Sequence, residues 1–187
     1  MNLGNRLLKI YGHPVSQPSR AIFWLLQMQN QEYEYEKIDP FAGDNKTESF
    51  LALNPMGKIP VLHDVPDDFI VWESPAILIY LCEKYDWKEW YPTNDLYTRT
   101  KIHQYLHWHH SNTRKSSLVF RNIIARHALG DNNPLSEKSM RTFNKRDSIF
   151  QEFMPYLDNW LSTTPYLARF VHRETTIIVV NTRQTFV

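Results

Sequence analysis

The sequence has little cysteine, little glycine and no long apolar run, and each shortage excludes a class of protein. Cys82 is the single cysteine among 187 residues, so the chain cannot form an internal disulfide. With five glycines it contains neither a dinucleotide-binding fingerprint nor a phosphate-binding glycine loop. Its longest apolar runs, such as residues 76–82, fall far below the roughly 18 residues of a membrane span. Residues 1–14 also lack the apolar stretch of a signal peptide, so we expect a cytoplasmic protein without membrane attachment.

The positive and negative charges are almost balanced. Lysine and arginine number 21 and aspartate and glutamate number 20, which gives a net charge of +1. Binding to nucleic acid without sequence preference relies on a strong attraction between a basic surface and the phosphates. We therefore expect no nucleic-acid partner.

The hydrophobic pattern changes partway along the chain and predicts two domains. Residues 1–85 alternate strand and helix patterns in the order βαβ, α, ββα. Residues 86–95 form an aromatic linker that is interrupted by proline. Residues 96–187 begin with long helical patterns over 96–127 and 135–161, which predict an all-helical domain.

A serine follows the first predicted strand, at the start of the first helix. Residues 15–20 read Val-Ser-Gln-Pro-Ser-Arg, and the free N–H groups and dipole of a helix start favour an anion. In thioredoxin-like folds this turn carries two cysteines, whereas Ser16 and Ser19 occupy those positions here. The Ser16 hydroxyl can donate to a bound thiolate, and a hydrogen bond to a charged group contributes roughly 1.5–3 kcal/mol. The alternative is that Ser16 only caps the helix.

Four motifs together resemble the cytosolic glutathione transferases, and most closely the theta class. They are residues 16–20 (SQPSR), 54–62 (NPMGKIPVL), 73–81 (ESPAILIYL) and 105–110 (YLHWHH). The resemblance covers roughly residues 8–167 and implies a thioredoxin-like α/β domain followed by an all-α domain. It also implies a homodimeric detoxification enzyme that attacks small hydrophobic electrophiles with the thiol of glutathione, its co-substrate, and that uses no metal.

The resemblance assigns two residues to the sulfur of glutathione. Ser16 takes the position of the hydroxyl that stabilises the thiolate, where other classes use tyrosine or cysteine. Arg114 is similar to a theta-class arginine that reaches toward the sulfur from the helical domain, where its positive charge lowers the thiol pKa. Activation would then work by electrostatic stabilisation and proximity, without a covalent enzyme intermediate.

The resemblance assigns a second group of residues to the glutathione peptide. Lys58 is similar to the lysine that holds the glycyl carboxylate, and the Ile59–Pro60 peptide bond is expected to be cis, with Ile59 offering its backbone to the cysteinyl part. Glu73 would bind the γ-glutamyl ammonium, and Ser74, expected to be the N-cap of a helix, would receive the neighbouring carboxylate. The full group is Gln17, Asn45, Lys58, Ile59, Pro60, Glu73 and Ser74.

The sequence departs from the theta-class pattern at two places. Asn45 stands where theta-class chains often have a histidine, and its amide can donate a hydrogen bond but cannot carry charge. After residue 168 the family continues into a buried helix that begins with a Ser/Thr-x-x-Asp cap, which is missing here. The β-branched run 175–180 favours a strand instead. We therefore expect a truncated helical domain with an atypical tail from about residue 169 and with core-facing helix surface left uncovered.

Three other interpretations stay open beside this one. His103, His107 and His110 lie on one face of a predicted helix and could bind Zn²⁺ or Ni²⁺, although a surface histidine face without metal is the expectation. A transferase-like module could bind glutathione or a partner protein without turnover, which the atypical tail favours and the intact Ser16 and Glu73 oppose. A glutathione-dependent peroxidase would use the same site with a different electrophile.

Overall fold

The computed structural model describes residues 7–115, 134 and 136–163. The chain divides into two compact units, Met1–Asp86 and Trp87–Val187. None of the helices in the described ranges is long and apolar enough to cross a membrane.

The first unit contains a mixed sheet of four strands in the order β2-β1-β3-β4. Strands β1 and β2 are parallel, whereas β3 runs antiparallel to both β1 and β4. The strands are β1 (Leu8–Gly12), β2 (Glu34–Lys37), β3 (Val61–Asp64) and β4 (Phe69–Trp72), and the helices are α1 (Gln17–Met28), α2 (Glu48–Leu53) and α3 (Ser74–Lys84). This sequence of elements confirms the predicted order and gives the thioredoxin-like fold.

The core of the first unit forms where the two central strands and helices α1 and α3 bury their apolar faces. Strand β1 alternates buried and half-buried residues, as a half-covered strand does. Each fully buried leucine or isoleucine contributes roughly 1.5–3 kcal/mol relative to an exposed one. The most deeply buried apolar side chains are Leu8, Ile10, Ile22, Leu25, Leu26, Val61, Leu62, Ile77 and Leu81.

A buried carboxylate connects the end of β3 to helix α3. Asp64 is 1% exposed, and its Oδ2 accepts a hydrogen bond from the Tyr80 hydroxyl at 2.5 Å and contacts the Lys84 ammonium. The same ammonium lies 2.7 Å from Asp67 Oδ2. Burial, together with the Asp64 carboxylate, raises the pKa of Tyr80 to about 12. This network fixes the last turn of α3 against the connection between β3 and β4.

Helix α3 begins one residue earlier than the sequence predicts. Its N-cap is Glu73, whereas Ser74 was expected to be the cap and is already the first helical residue. Glu73 has a φ of 75°, and its carbonyl accepts the N–H of Ile77 at 3.0 Å. The chain therefore turns from β4 into the helix at Glu73, which leaves Ser74 with helical geometry.

The described part of the second unit begins with the irregular segment 87–95 and continues with the helices α4 (Leu96–Ser111), α5 (Glu137–Asn144) and α6 (Arg146–Thr163). Asp95 caps α4 by accepting the N–H of Thr98 at 3.0 Å. Helix α4 ends at Ser111, short of the predicted 96–127, because Asn112 leaves the helical conformation with a φ of −122° and a ψ of −87°. Its side chain donates to the Trp108 carbonyl at 2.8 Å, and a 3₁₀ turn follows. The pattern over 135–161 corresponds to two helices that break near Lys145. Residues 116–127 and the predicted tail from about 169 lie outside the described residues.

Candidate functional site

The strand register brings three segments to one end of the sheet in the first unit. Tyr11 near the end of β1 pairs with Val61 at the start of β3, and Val61 pairs with Trp72 at the end of β4. The turn after β1, the loop before β3 and the start of α3 must therefore lie at the same edge. These segments are residues 13–16, 57–60 and 73–74, and they contain most of the predicted glutathione-binding residues.

Ser16 is the N-cap of α1. Its Oγ accepts the backbone N–H of Ser19 at 3.4 Å, and its own N–H donates to the His13 carbonyl at 2.9 Å. The capping interaction uses a lone pair of the hydroxyl oxygen, so the hydroxyl proton can still be donated to an anion. The side chain is half-buried, and Gln17 beside it is exposed. Capping and thiolate stabilisation are thus compatible at this residue.

Two side chains that the sequence analysis did not single out hold the turn before Ser16. His13 is 7% exposed, and its Nδ1 accepts the N–H of Val15 at 3.1 Å. Arg20 donates from Nη1 to the carbonyls of Pro14 and Val15 at 3.0 and 3.1 Å. The peptide groups that lead into Ser16 are therefore bound from both sides. Arg20 reaches back six and five residues for these contacts, to a turn outside its own helix, so helical periodicity in the sequence could not predict them.

The loop that carries Lys58 is fixed by two asparagines. Asn54, 1% exposed, donates to the Lys58 carbonyl at 2.7 Å, and Asn45 donates to the Gly57 carbonyl at 2.6 Å. Asn45 therefore acts on the loop, with one of its two amide protons already used by the protein. The Lys58 side chain is exposed. Lys46 lies beside the loop as well, because its Nζ is 2.8 Å from where a Cβ on Gly57 would lie.

The peptide bond between Ile59 and Pro60 is cis, as the resemblance implies. Pro60 is buried, and the half-buried Ile59 packs against a small core cluster. That cluster consists of Ile38, Phe50 and Val61. The bend before β3 therefore packs against buried apolar side chains.

Glu73 and Ser74 form the start of α3. Glu73 is exposed and has a positive φ of 75°, and its side chain makes no capping hydrogen bond. A non-glycine residue in such a conformation costs about 1–3 kcal/mol, and this kind of strain concentrates at functional sites. Because no side chain caps the helix, its first N–H groups can bind a carboxylate. Ser74 is 9% exposed at this helix start.

Arg114 belongs to the second unit, whereas the other predicted site residues belong to the first. It is half-buried in the 3₁₀ turn Thr113–Lys115 after α4. Burial, Arg114 and His110 together lower the pKa of His109, whose Nδ1 lies 2.5 Å from Thr113 Oγ1. Arg114 therefore places a positive charge beside the end of α4.

The three histidines that are predicted to share one face of α4 differ in their surroundings. The ring of His103 stacks on Tyr91 with centroids 5.9 Å apart, and its Nε2 lies 2.9 Å from the Tyr91 hydroxyl. His107 and His110 are exposed. In the part of the chain that the structure describes, no three histidine, cysteine, aspartate or glutamate side chains group closely enough to hold a metal ion.

Residues 15–84 match the family model of the glutathione S-transferase N-terminal domain. Among curated proteins, human glutathione S-transferase theta-2 is 43% identical over 103 residues, which cover 54% of this chain and 41% of that protein. Human glutathione S-transferase theta-1 is 37% identical over 112 residues, which cover 59% of this chain and 45% of that protein. The chain therefore spans less than half the length of these relatives.

Solved structures of glutathione transferases also superpose on this chain. A crystal structure of human glutathione transferase theta-2, in complex with glutathione and an unknown ligand, superposes with a TM-score of 0.69 at 33% identity and covers 88% of this chain and 65% of that chain. A glutathione S-transferase from Pseudomonas fluorescens superposes with a TM-score of 0.71 at 29% identity, covering 86% and 75%. The chain is a theta-class-like relative of the glutathione S-transferases, and its residues 15–84 are a glutathione S-transferase N-terminal domain.

Proposed function

We propose that the chain binds glutathione in its N-terminal domain, residues 1–85, and transfers the glutathione thiol to small hydrophobic electrophiles. The observation that carries this proposal is the meeting of three segments at one edge of the sheet, with Ser16 at the start of a helix. A theta-class relative with the same fold has been solved with glutathione. The function is the conjugation reaction of a detoxifying glutathione transferase.

At the sulfur, the residues act by stabilising charge. The glutathione thiol releases its proton to water, and the Ser16 hydroxyl donates a hydrogen bond to the resulting thiolate. The start of α1 adds a favourable dipole, and the family resemblance implies that Arg114 adds a positive charge that favours the thiolate. The thiolate then forms a bond to the electrophilic carbon, and the leaving group departs with the electron pair of its bond.

Along the peptide, the residues fix its position. Lys58 attracts the glycyl carboxylate, and the backbone of Ile59 before Pro60 pairs with the cysteinyl residue in the manner of an added strand. Glu73 binds the ammonium of the γ-glutamyl group, and Ser74 with the uncapped start of α3 binds its carboxylate. Gln17 borders the same site, and Asn45 keeps the Lys58 loop in place through Gly57.

The test follows the ultraviolet absorbance of the thiolate while the pH of the full chain bound to glutathione is raised. We expect the bound thiol to have a pKa below that of free glutathione, and Ser16→Ala to return the pKa toward the free value by about one to two units. Ser162→Ala is the matched control, since that serine is exposed on α6 and donates only to its own helix. Binding without a lowered pKa would favour a non-catalytic glutathione-binding module and would contradict transfer.

We place this enzyme in the cytoplasm as a homodimer, as the family resemblance implies. In the first unit, the edge strand β4 offers an apolar surface, with Phe69, Ile70 and Trp72 between 37% and 42% exposed. Sedimentation of the full chain tests the dimer, and Ile70→Asp is expected to shift it toward monomer. A wild-type chain that sediments as a monomer at micromolar concentration would contradict this part of the proposal.

A further inference from the structure

We propose that His13 is a positioning residue for Ser16, and that a proton on its ring switches off activation of the thiol. The inference rests on the proposed function and names a group that regulates the same site. Under this proposal, the turn between β1 and α1 changes its hydrogen bonds when the ring of His13 gains a proton.

The geometry around the ring supports this role. His13 is 7% exposed, and its Nδ1 accepts the N–H of Val15 at 3.1 Å while its own carbonyl accepts the N–H of Ser16 at 2.9 Å. Its side chain and its backbone therefore bind two successive N–H groups of the turn. An imidazole nitrogen accepts a hydrogen bond only when it carries no proton, so the observed contact requires the neutral ring with its proton on Nε2. That Nε2 lies 3.9 Å from Asp39 Oδ2.

Protonation would remove one of these two contacts. A proton on Nδ1 would point at the N–H of Val15, and two donors cannot form a hydrogen bond. The half-buried N–H of Val15 would lose its acceptor, and an unmade hydrogen bond that water does not replace is costly. The Val15 carbonyl would still be bound by Arg20. The peptide group between Pro14 and Val15 must then rotate or shift, and Ser16 is the next residue in the chain.

Charged side chains surround His13 from each element near it. Asp39 Oδ2, in the loop after β2, lies 3.9 Å from Nε2 of the ring, and Arg20 on α1 binds the carbonyls of Pro14 and Val15. Lys37 lies 3.8 Å from Asp39 Oδ2, and Asp44 Oδ2 accepts the N–H of Asp39 at 2.8 Å. Hydrogen bonds from the backbone of Phe41 and of Ala42, together with the Lys37 ammonium, lower the pKa of Asp39. Asp39 is thus an anion that can stabilise the charge of His13 without replacing the acceptor that Val15 loses.

Two substitutions separate the acceptor from the titration. In His13→Asn the amide oxygen occupies nearly the place of Nδ1, so it can accept from Val15 but cannot titrate. In His13→Gln the longer side chain reaches instead toward Asp39, where Nε2 was. His63→Asn is the matched control, because His63 lies on β3 and its Nε2 pairs with Asp68 at 3.3 Å.

The experiment measures kcat/KM for conjugation against pH with the full chain. In the wild type, acid removes the thiolate and also the Nδ1 acceptor of the Val15 N–H, so the ratio of wild-type to His13→Asn kcat/KM is expected to fall from about one at alkaline pH to about one tenth in acid. His13→Asn is expected to retain kcat/KM within about twofold at alkaline pH and to fall with a slope of one. His13→Gln is expected to lose about tenfold at alkaline pH, the size of one hydrogen bond. His63→Asn should follow the pH profile of the wild type.

A second measurement does not need turnover. In the ligand-free chain, the amide resonances of Val15 and Ser16 should shift with pH together with the ring resonances of His13, and should no longer do so in His13→Asn. A wild type that activates the thiol but keeps a constant ratio of kcat/KM to His13→Asn at every pH would overturn the role of His13 alone. Amide resonances of Val15 and Ser16 that do not shift together with the ring resonances would overturn it as well. A wild type that binds glutathione without forming the thiolate would refute the proposed function and this inference with it.

Discussion

The side chain of Asn45 donates a hydrogen bond to the carbonyl of Gly57 across 2.6 Å and so connects the short 3₁₀ turn before α2 to the loop that carries Lys58. Gly57 in turn has a φ of 58°, and its backbone passes close to the carbonyl of Asn45. The position of Lys58 is therefore set by a contact made twelve residues earlier in the chain.

Asn45→Asp is expected to weaken the binding of glutathione while leaving the chemical step almost unchanged. A carboxylate cannot donate to the Gly57 carbonyl and repels it, so the Lys58 loop loses one of its two asparagine contacts. KM for glutathione should rise roughly fivefold to tenfold, with kcat within about twofold. Steady-state kinetics measure both, with the exposed Asn94→Asp as control. A fall in kcat at constant KM would contradict a role in positioning the peptide.

Gly57→Ala is expected to lower the free energy of unfolding by more than Gly43→Ala does. Both glycines have a positive φ, 58° and 89°, so both substitutions introduce backbone strain. Only at Gly57 would the new Cβ also meet the Asn45 carbonyl, at 2.8 Å, whereas nothing lies within 4 Å of it at Gly43. Urea unfolding should show about 1 kcal/mol for Gly43→Ala and at least about 1 kcal/mol more for Gly57→Ala. Equal losses of stability in the two variants would mean that the Lys58 loop shifts to accommodate the new Cβ at no cost in free energy.

Glu73 offers a case in which stability and function are expected to change in opposite directions. Glu73→Gly removes the strain of a positive φ and should raise the free energy of unfolding by about 1 kcal/mol. It also removes the carboxylate, so the affinity for glutathione should fall by about tenfold. Glu73→Gln keeps the strain and loses the charge, so it should bind as weakly without gaining stability. Calorimetric titration and urea unfolding of both variants measure the two effects separately.

The elements of the first unit could be read from the sequence because local chemistry determines them. Strand β4 spans Phe69–Trp72, the same residues as the apolar run that follows Pro66, Asp67 and Asp68 in the sequence. Ser16 is a helix cap because serine at such a position satisfies a free N–H whatever the rest of the fold. The family resemblance added the cis bond at Pro60, which spacing alone would not predict.

The contacts that position the site could not be read in this way. The pairing of His13 with Asp39 joins residues from different elements, and the bond between Asn45 and Gly57 spans a helix and a turn. Such contacts follow from tertiary packing and leave no periodic pattern. At the start of α3, serine is the better capping residue by type, yet the turn out of β4 gives the cap position to Glu73.

Tyr80 provides a prediction for the dependence of stability on pH. Its pKa in the folded protein is raised to about 12 from an ordinary value of 10.0, chiefly by burial and then by the Asp64 carboxylate to which its hydroxyl donates. The unfolded chain therefore loses the phenol proton first as the pH rises. The contribution of Tyr80 to stability is present in full below pH 10 and is lost as the pH rises toward about 12. At neutral pH, Tyr80→Phe should lower the free energy of unfolding by about 1–2 kcal/mol, since Asp64 loses a buried donor.

Between these two pH values the wild type should lose stability faster than Tyr80→Phe, so the difference between the two proteins closes. Urea unfolding at intervals of pH measures this, and tyrosinate absorbance of the folded protein follows the ionisation itself. Tyr97→Phe is the matched control, because Tyr97 is 85% exposed on α4 and its removal should leave the curve of the wild type unchanged. If the difference between the wild type and Tyr80→Phe stays constant across the alkaline range, the hydrogen bond to Asp64 does not hold the phenol in its neutral form.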